Sequence, residues 1–183
     1  MKIKQNNIID FQVHPLGFYY LVLKTGASTS RIHVYVNTNE VTQNNDWHTH
    51  EFDLCSKVLV GSLHNEIGQF SVCQDGAISE YCVEYDGDES TLRPTGNSGK
   101  IESIVSFSTG LGHEYSIRAG TIHRAIGTFF PCVTQVDMKH NGGKVLSYGL
   151  DETPFKRRKV TADEISIIYE ILLNNGLLLL QSE

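Results

Sequence analysis

The sequence predicts an all-β protein, an antiparallel sandwich or barrel closed by one C-terminal α-helix. Short β-favouring runs recur from Phe18 to Leu150 at roughly 8–12-residue intervals, with turn residues and no helical period between them. Hydrophobic residues make up 40% of the 183 positions and charged residues 20%, a balance that supports a buried core and excludes disorder. Near the end of the chain, Thr161-Ala162-Asp163-Glu164 has the form of a capping box, followed by apolar residues at helical spacing.

The elements follow in order. Phe18–Leu23 is a compact apolar run stopped by Lys24-Thr25-Gly26. In Arg31–Val36, Ile32, Val34 and Val36 face one way and Arg31, His33 and Tyr35 the other. Trp47–Val60 contains two pieces, His48–Phe52 and Lys57–Val60, closed by Gly61. Phe70–Cys73 and Ile78–Tyr85 flank Asp75-Gly76, a two-residue hairpin signal. Asp86–Gly99 is polar and rich in turn formers, and reads as a mobile surface loop. Glu102–Ser108 and Glu114–Ile117 read as a second hairpin around Thr109-Gly110-Leu111-Gly112. Ile122–Ile126, Val133–Met138 and Lys144–Tyr148 complete the series, with an exposed aromatic turn at Gly127–Pro131, a candidate lid or dimer contact, and another turn at Asn141-Gly142-Gly143. Ile165, Ile168, Tyr169 and Leu172 form the inner stripe of the helix, which Asn174-Asn175-Gly176 ends. The basic run Lys156-Arg157-Arg158-Lys159 before it reads as a solvated linker.

At about 100–200 residues per domain, the expected organisation is a β-domain over 1–155 and a linker plus packed helix over 156–183. A chain this long buries enough surface to fold without disulfide or structural metal. Its formal net charge of -6 argues against general nucleic-acid binding, which needs a basic face. The longest apolar runs, Phe18–Leu23 and Leu177–Leu180, fall far short of the ~20 residues of a membrane span, so no membrane partner is expected. Polar residues interrupt any leader-like run at the start, and Cys55, Cys73, Cys82 and Cys132 form no C-x-x-C pair. The expectation is a cytoplasmic protein with free thiols.

The chemistry concentrates in Asn45–Gly61, NDWHTHEFDLCSKVLVG. On a strand, His48 and His50 lie on one face, close enough to share a metal. Two histidines on a solvated face have the same spacing, so the pair alone leaves both readings open. A Gly-x-x-His, Gly120 to His123, opens a later strand.

Together these two motifs resemble those of the cupin superfamily, a small jelly-roll barrel or double-stranded β-helix. The resemblance implies a metal inside the barrel held by His48, His50 and His123. Counting back seven from Gly61, where most metal cupins carry a glutamate, reaches Leu54, so Asp53 or Glu51 would have to substitute. Without a carboxylate the site resembles the cysteine-dioxygenase branch, in which a cysteine also follows the second histidine by five residues, as Cys55 follows His50. That branch's Ser-His-Tyr signature has no clear counterpart. HEFDLCSKVLVG, His50–Gly61, is closer to a group of uncharacterised bacterial and phage cupins with the pattern HxHxFDxxSxVLxG.

Three neutral imidazoles leave the ion's charge uncancelled and coordination positions open. Fe(II) is the first expectation, with zinc, nickel, copper or manganese as alternatives. The function expected is an Fe(II) oxygenase of a small polar substrate, a thiol or amino-acid derivative. The alternatives are a non-catalytic barrel that sequesters a nucleotide or other anionic molecule, and an interaction module built on the outer sheet and helix. Arg31, His33, Tyr35, Cys55 and Arg118 are the substrate-binding candidates, and a homodimer paired through sheet edges is the expected assembly.

Overall fold

The computed structural model describes residues 2–37, 46–87, 89–149, 155–156 and 158–179. Strands dominate: β1 (Ile3–Lys4), β2 (Ile8–His14), β3 (Phe18–Thr25), β4 (Ser28–Tyr35), β5 (Trp47–His48), β6 (Phe52–Val72), β7 (Ile78–Asp86), β8 (Glu89–Gly110), β9 (Glu114–Ile117), β10 (His123–His140), β11 (Leu146–Gly149), β12 (Phe155–Lys156) and β13 (Arg158–Lys159). The helix α1 (Ala162–Asn174) follows, and β14 (Leu178–Leu179) pairs in parallel with β1. The fold is all-β and jelly-roll-like with one C-terminal helix, as the sequence predicts.

Antiparallel pairing runs from β10 to β5, β11, β7, β8 and β6, and β6 returns to β10. That circuit closes the sheet into a barrel. β4, β3 and β2 extend it from β10. The largest core cluster lies between this extension and α1, where Ile168 and Leu172 pack with Tyr19, Leu21, Ile32, Val34 and Val133. Phe11 of β2 meets Tyr169 edge-on at 5.7 Å. Two smaller clusters, around Leu63 and Cys132 and around Leu54, Ile117 and Val136, fill the barrel.

Several local expectations change. The turn at Asp75-Gly76 does not close a hairpin between its flanking strands: Val72 of β6 and Ile78 of β7 both pair with Gly99 of β8. The turn after Gly110 acts the same way, since β8 and β9 both pair with β6. Asp86–Gly99, read as a loop, is mostly strand β8. Its Ser90 and Leu92 are buried while Thr91 and Arg93 are exposed, a period of two that the density of turn formers conceals. The basic run supplies β12 and β13, which pair with β8 and β2, instead of a free linker; Arg157 lies outside the described residues. All four cysteines are free.

Gly61 and Gly127–Pro131 do not end strands either. Both lie inside the long strands β6 and β10, facing each other across register shifts. Gly61 has φ +69°, and a Cβ there would meet the carbonyl oxygens of Phe129 and Pro131 well inside van der Waals contact. Gly61→Ala is expected to cost about 2–3 kcal/mol in urea unfolding. A change under about 0.5 kcal/mol would contradict this packing.

Candidate metal centre

β5 ends on His48, β10 begins on His123, and the two are directly opposed in the ladder. Opposed residues project to the same face. His50 follows at the next same-face position. The ring centroids lie 4.9 Å apart for His48–His50, 4.5 Å for His48–His123 and 4.8 Å for His50–His123. One ring nitrogen from each falls within 4.8 Å of the others.

Backbone contacts set the orientation of these rings. Nδ1 of His48 donates to the Asp46 carbonyl at 3.0 Å, and Nδ1 of His123 to the Thr121 carbonyl at 3.1 Å. Each bond reaches back two residues, fixes the tautomer and leaves the Nε2 lone pair for a metal. His50 stacks on Phe52 at 4.6 Å. Between the histidines, Thr49 is buried; its hydroxyl donates to the Lys144 carbonyl at 2.7 Å and accepts from Leu146 N–H at 2.9 Å, clamping the segment to β11. The Gly120 N–H donates to the His50 carbonyl at 2.9 Å. Burial lowers the pKa of all three imidazoles, that of His123 to about 3, and His48 and His123 push that of His50 further down. They are neutral at physiological pH, the state that binds a metal. An all-imidazole donor set with no carboxylate in the cluster fits Fe(II), Zn(II), Ni(II) or Cu(II) better than hard-oxygen ions.

The triad opens into a cavity of about 360 Å³. Arg31, His33 and Tyr35 of β4 all line it, as does Glu51 near the mouth, where its carboxylate is 4.0 Å from Nδ1 of His140. Asp53, Cys55 and Arg118 do not. Leu54 points inward, so strict alternation along β6 turns its two neighbours outward, into a separate shallow cleft that Arg118 also lines. Asp53 accepts from the Ala119 N–H at 2.8 Å and from Asn141 Nδ2 at 3.2 Å, a loop tie that holds its carboxyl below the usual range. It is not a fourth ligand, and Cys55 and Arg118 do not face the barrel contents.

Among the cavity residues that escaped the sequence reading are His14 and Tyr115. His14, beside the β2–β3 turn, stacks on Phe18 at 4.4 Å, and Tyr115 of β9 lines the wall next to Ser56 and Asn65. Burial pushes the Tyr115 pKa up to about 12, so its hydroxyl stays protonated. The parity of Glu114–Ile117 gives Tyr115 and Ile117 a common face; no comparable signal marks His14.

Behind the triad, Arg124 pairs with Glu66 across β10 and β6 and lies 4.6 Å over the Trp47 ring. Trp47 and Arg124 are the chain neighbours of His48 and His123, so this stack braces both ligand-bearing backbones from outside. Arg124→Ala is expected to weaken zinc binding about tenfold with one site retained. Unchanged affinity in a competition titration would contradict the bracing role.

No family model and no curated protein matches the chain. Among solved structures it is similar to Peruvianin-I, a cysteine peptidase from Thevetia peruviana latex (TM-score 0.36, 8% identity, 80% of this chain and 69% of that one). FeII HppE gives a TM-score of 0.33 at 9% identity over 72% of this chain and 50% of that chain. E. coli ycfD gives 0.24 at 12% identity, over 89% and 32%. Likenesses at these scores carry no argument about function. No described helix is long and apolar enough to cross a membrane.

Proposed function

We propose that this chain is a cupin-type metalloenzyme, a mononuclear non-haem Fe(II) oxygenase of a small polar substrate. The observation that supports it most is the convergence of His48, His50 and His123, two of them with Nδ1 committed to backbone carbonyls. A ferrous ion held by these three imidazoles would keep coordination positions open for substrate and dioxygen and would let electrons pass from the substrate to dioxygen. The protein residues do the rest. Arg31 offers a positive charge to an acidic substrate, apolar side chains such as Phe18, Phe52 and Leu54 pack against its body, and Tyr115 holds its proton on Oη as a hydrogen-bond donor.

Arg31 is the one Lys or Arg among the described residues lining the cavity, which suits a single carboxylate better than a nucleotide polyphosphate. The test is anaerobic loading with Fe(II), followed by oxygen-uptake measurements with small thiols, amino acids and hydroxy acids. One iron per chain and substrate-dependent uptake are expected. Less than about a tenth of an equivalent of iron, with no stabilisation by the ion, would overturn the reading.

A further inference from the structure

The cavity has a second polar pole. Alternation along β4 turns Arg31 and His33 into it. Nε2 of His33 is buried and has no hydrogen-bond partner among the described residues. An orphaned buried polar group is destabilising, and a ligand group that pairs with it would offset that cost. The His33 ring is already fixed in place. Phe18 packs on it at 4.6 Å, and Tyr20 and Tyr35 meet its edge at 6.3 Å and 6.4 Å. The Arg31 guanidinium carbon sits 5.0 Å over the Tyr20 ring.

The remaining walls mix apolar side chains, Phe18, Phe52, Leu54, Val83, Val136 and Met138 among them, with polar ones that include Asp46 and Glu51. The cavity volume of about 360 Å³ equals that of roughly a dozen waters at ~30 Å³ each, more than a molecule of cysteine's size fills. A ligand that satisfies this shape carries an acid group at one end and an apolar body in the middle.

We propose that Arg31 and His33 bind the carboxylate of a small acid with an aromatic or branched apolar body, whose other end reaches the histidine triad through a hydroxyl or thiol. Arg31 supplies the charge, and Nε2–H of His33 donates one hydrogen bond to the carboxylate. The contact at the triad rests on the metal reading above; the carboxylate pole does not.

Calorimetric titration of metal-free and zinc-loaded protein tests this with four probes. They are 4-hydroxybenzoate, benzoate (no hydroxyl), 4-hydroxybenzyl alcohol (no carboxylate) and L-cysteine. 4-Hydroxybenzoate is expected to bind tightest to the zinc form, with the alcohol and L-cysteine at least about tenfold weaker. His33→Phe and Arg31→Met should each weaken 4-hydroxybenzoate about tenfold while zinc content and cooperative urea unfolding are retained. Alcohol or L-cysteine binding within about twofold of 4-hydroxybenzoate, unchanged affinity in the folded variants, or no binding of either aromatic acid would overturn the proposal. If the chain takes up no zinc, the metal reading fails, and the two acids on metal-free protein still decide whether the pole exists.

Discussion

His123→Ala is expected to lower metal affinity at least about a hundredfold, with loss of stoichiometric uptake, while the protein stays folded. The side chain is one of three donors, and its geometry is set twice: by the ladder pairing with His48 and by the Nδ1–H bond to the Thr121 carbonyl. No other His, Cys, Asp or Glu among the described residues joins that cluster, so no substitute donor stands within reach. Stability of the metal-free protein should change by less than about 1 kcal/mol. The β10–β5 and β10–β6 pairings are made by backbone groups, and a neutral imidazole facing an existing cavity contributes little packing. Elemental analysis beside urea unfolding reads both quantities. Full metal content in His123→Ala would contradict the assignment of the centre.

The second large effect concerns the join between helix and sheet. Glu164 is 3% exposed, yet it is charged. Its carboxylate accepts from Arg158 Nη1 at 2.7 Å and Nη2 at 2.6 Å, from Tyr19 Oη at 3.1 Å and from the Thr161 N–H at 2.8 Å. The Arg158 bonds, aided by those from Thr161 and Tyr19, outweigh burial and hold its pKa at about 2. Glu164→Ala is expected to cost about 2–3 kcal/mol at pH 7. The value stays below that of a fully buried pair because the Arg158 side chain is 46% exposed. The folded pKa lies below the ordinary 4.5, so this contribution is complete above about pH 5 and is lost as pH falls towards about 2. The gap between wild type and Glu164→Ala in urea unfolding should therefore close across that window. A gap independent of pH would contradict the ionised network.

The triad was legible because it rests on local rules. A period of two puts His48 and His50 on one face, and Gly120 precedes His123 at the start of a strand. Alternation alone also selected Arg31, His33 and Tyr35. The same arithmetic, counted from His50 through Phe52 and Leu54, turns Asp53 and Cys55 outward. The ladder is regular there, and its irregularity lies further along, around Gly61.

What stayed hidden is non-local. β6 and β8 are long strands that exchange partners midway, so a turn between two β-runs did not mean that those runs paired with each other. Glu164 was visible as the fourth residue of a capping box, but its burial against Tyr19 and its pairing with Arg158 depend on where the helix docks. His14 reaches the cavity from the last position of β2, a strand that the sequence reading, which began its series at Phe18, did not include.

X-ray absorption at the metal edge of the zinc-loaded protein tests the central claim most directly. The account predicts three imidazole nitrogens at about 2.0–2.1 Å, with the multiple-scattering signature of intact rings, and a loss of one ring in His123→Ala. Sulfur scattering at about 2.3 Å, or a first shell with one imidazole or none, would place the ion elsewhere and contradict it.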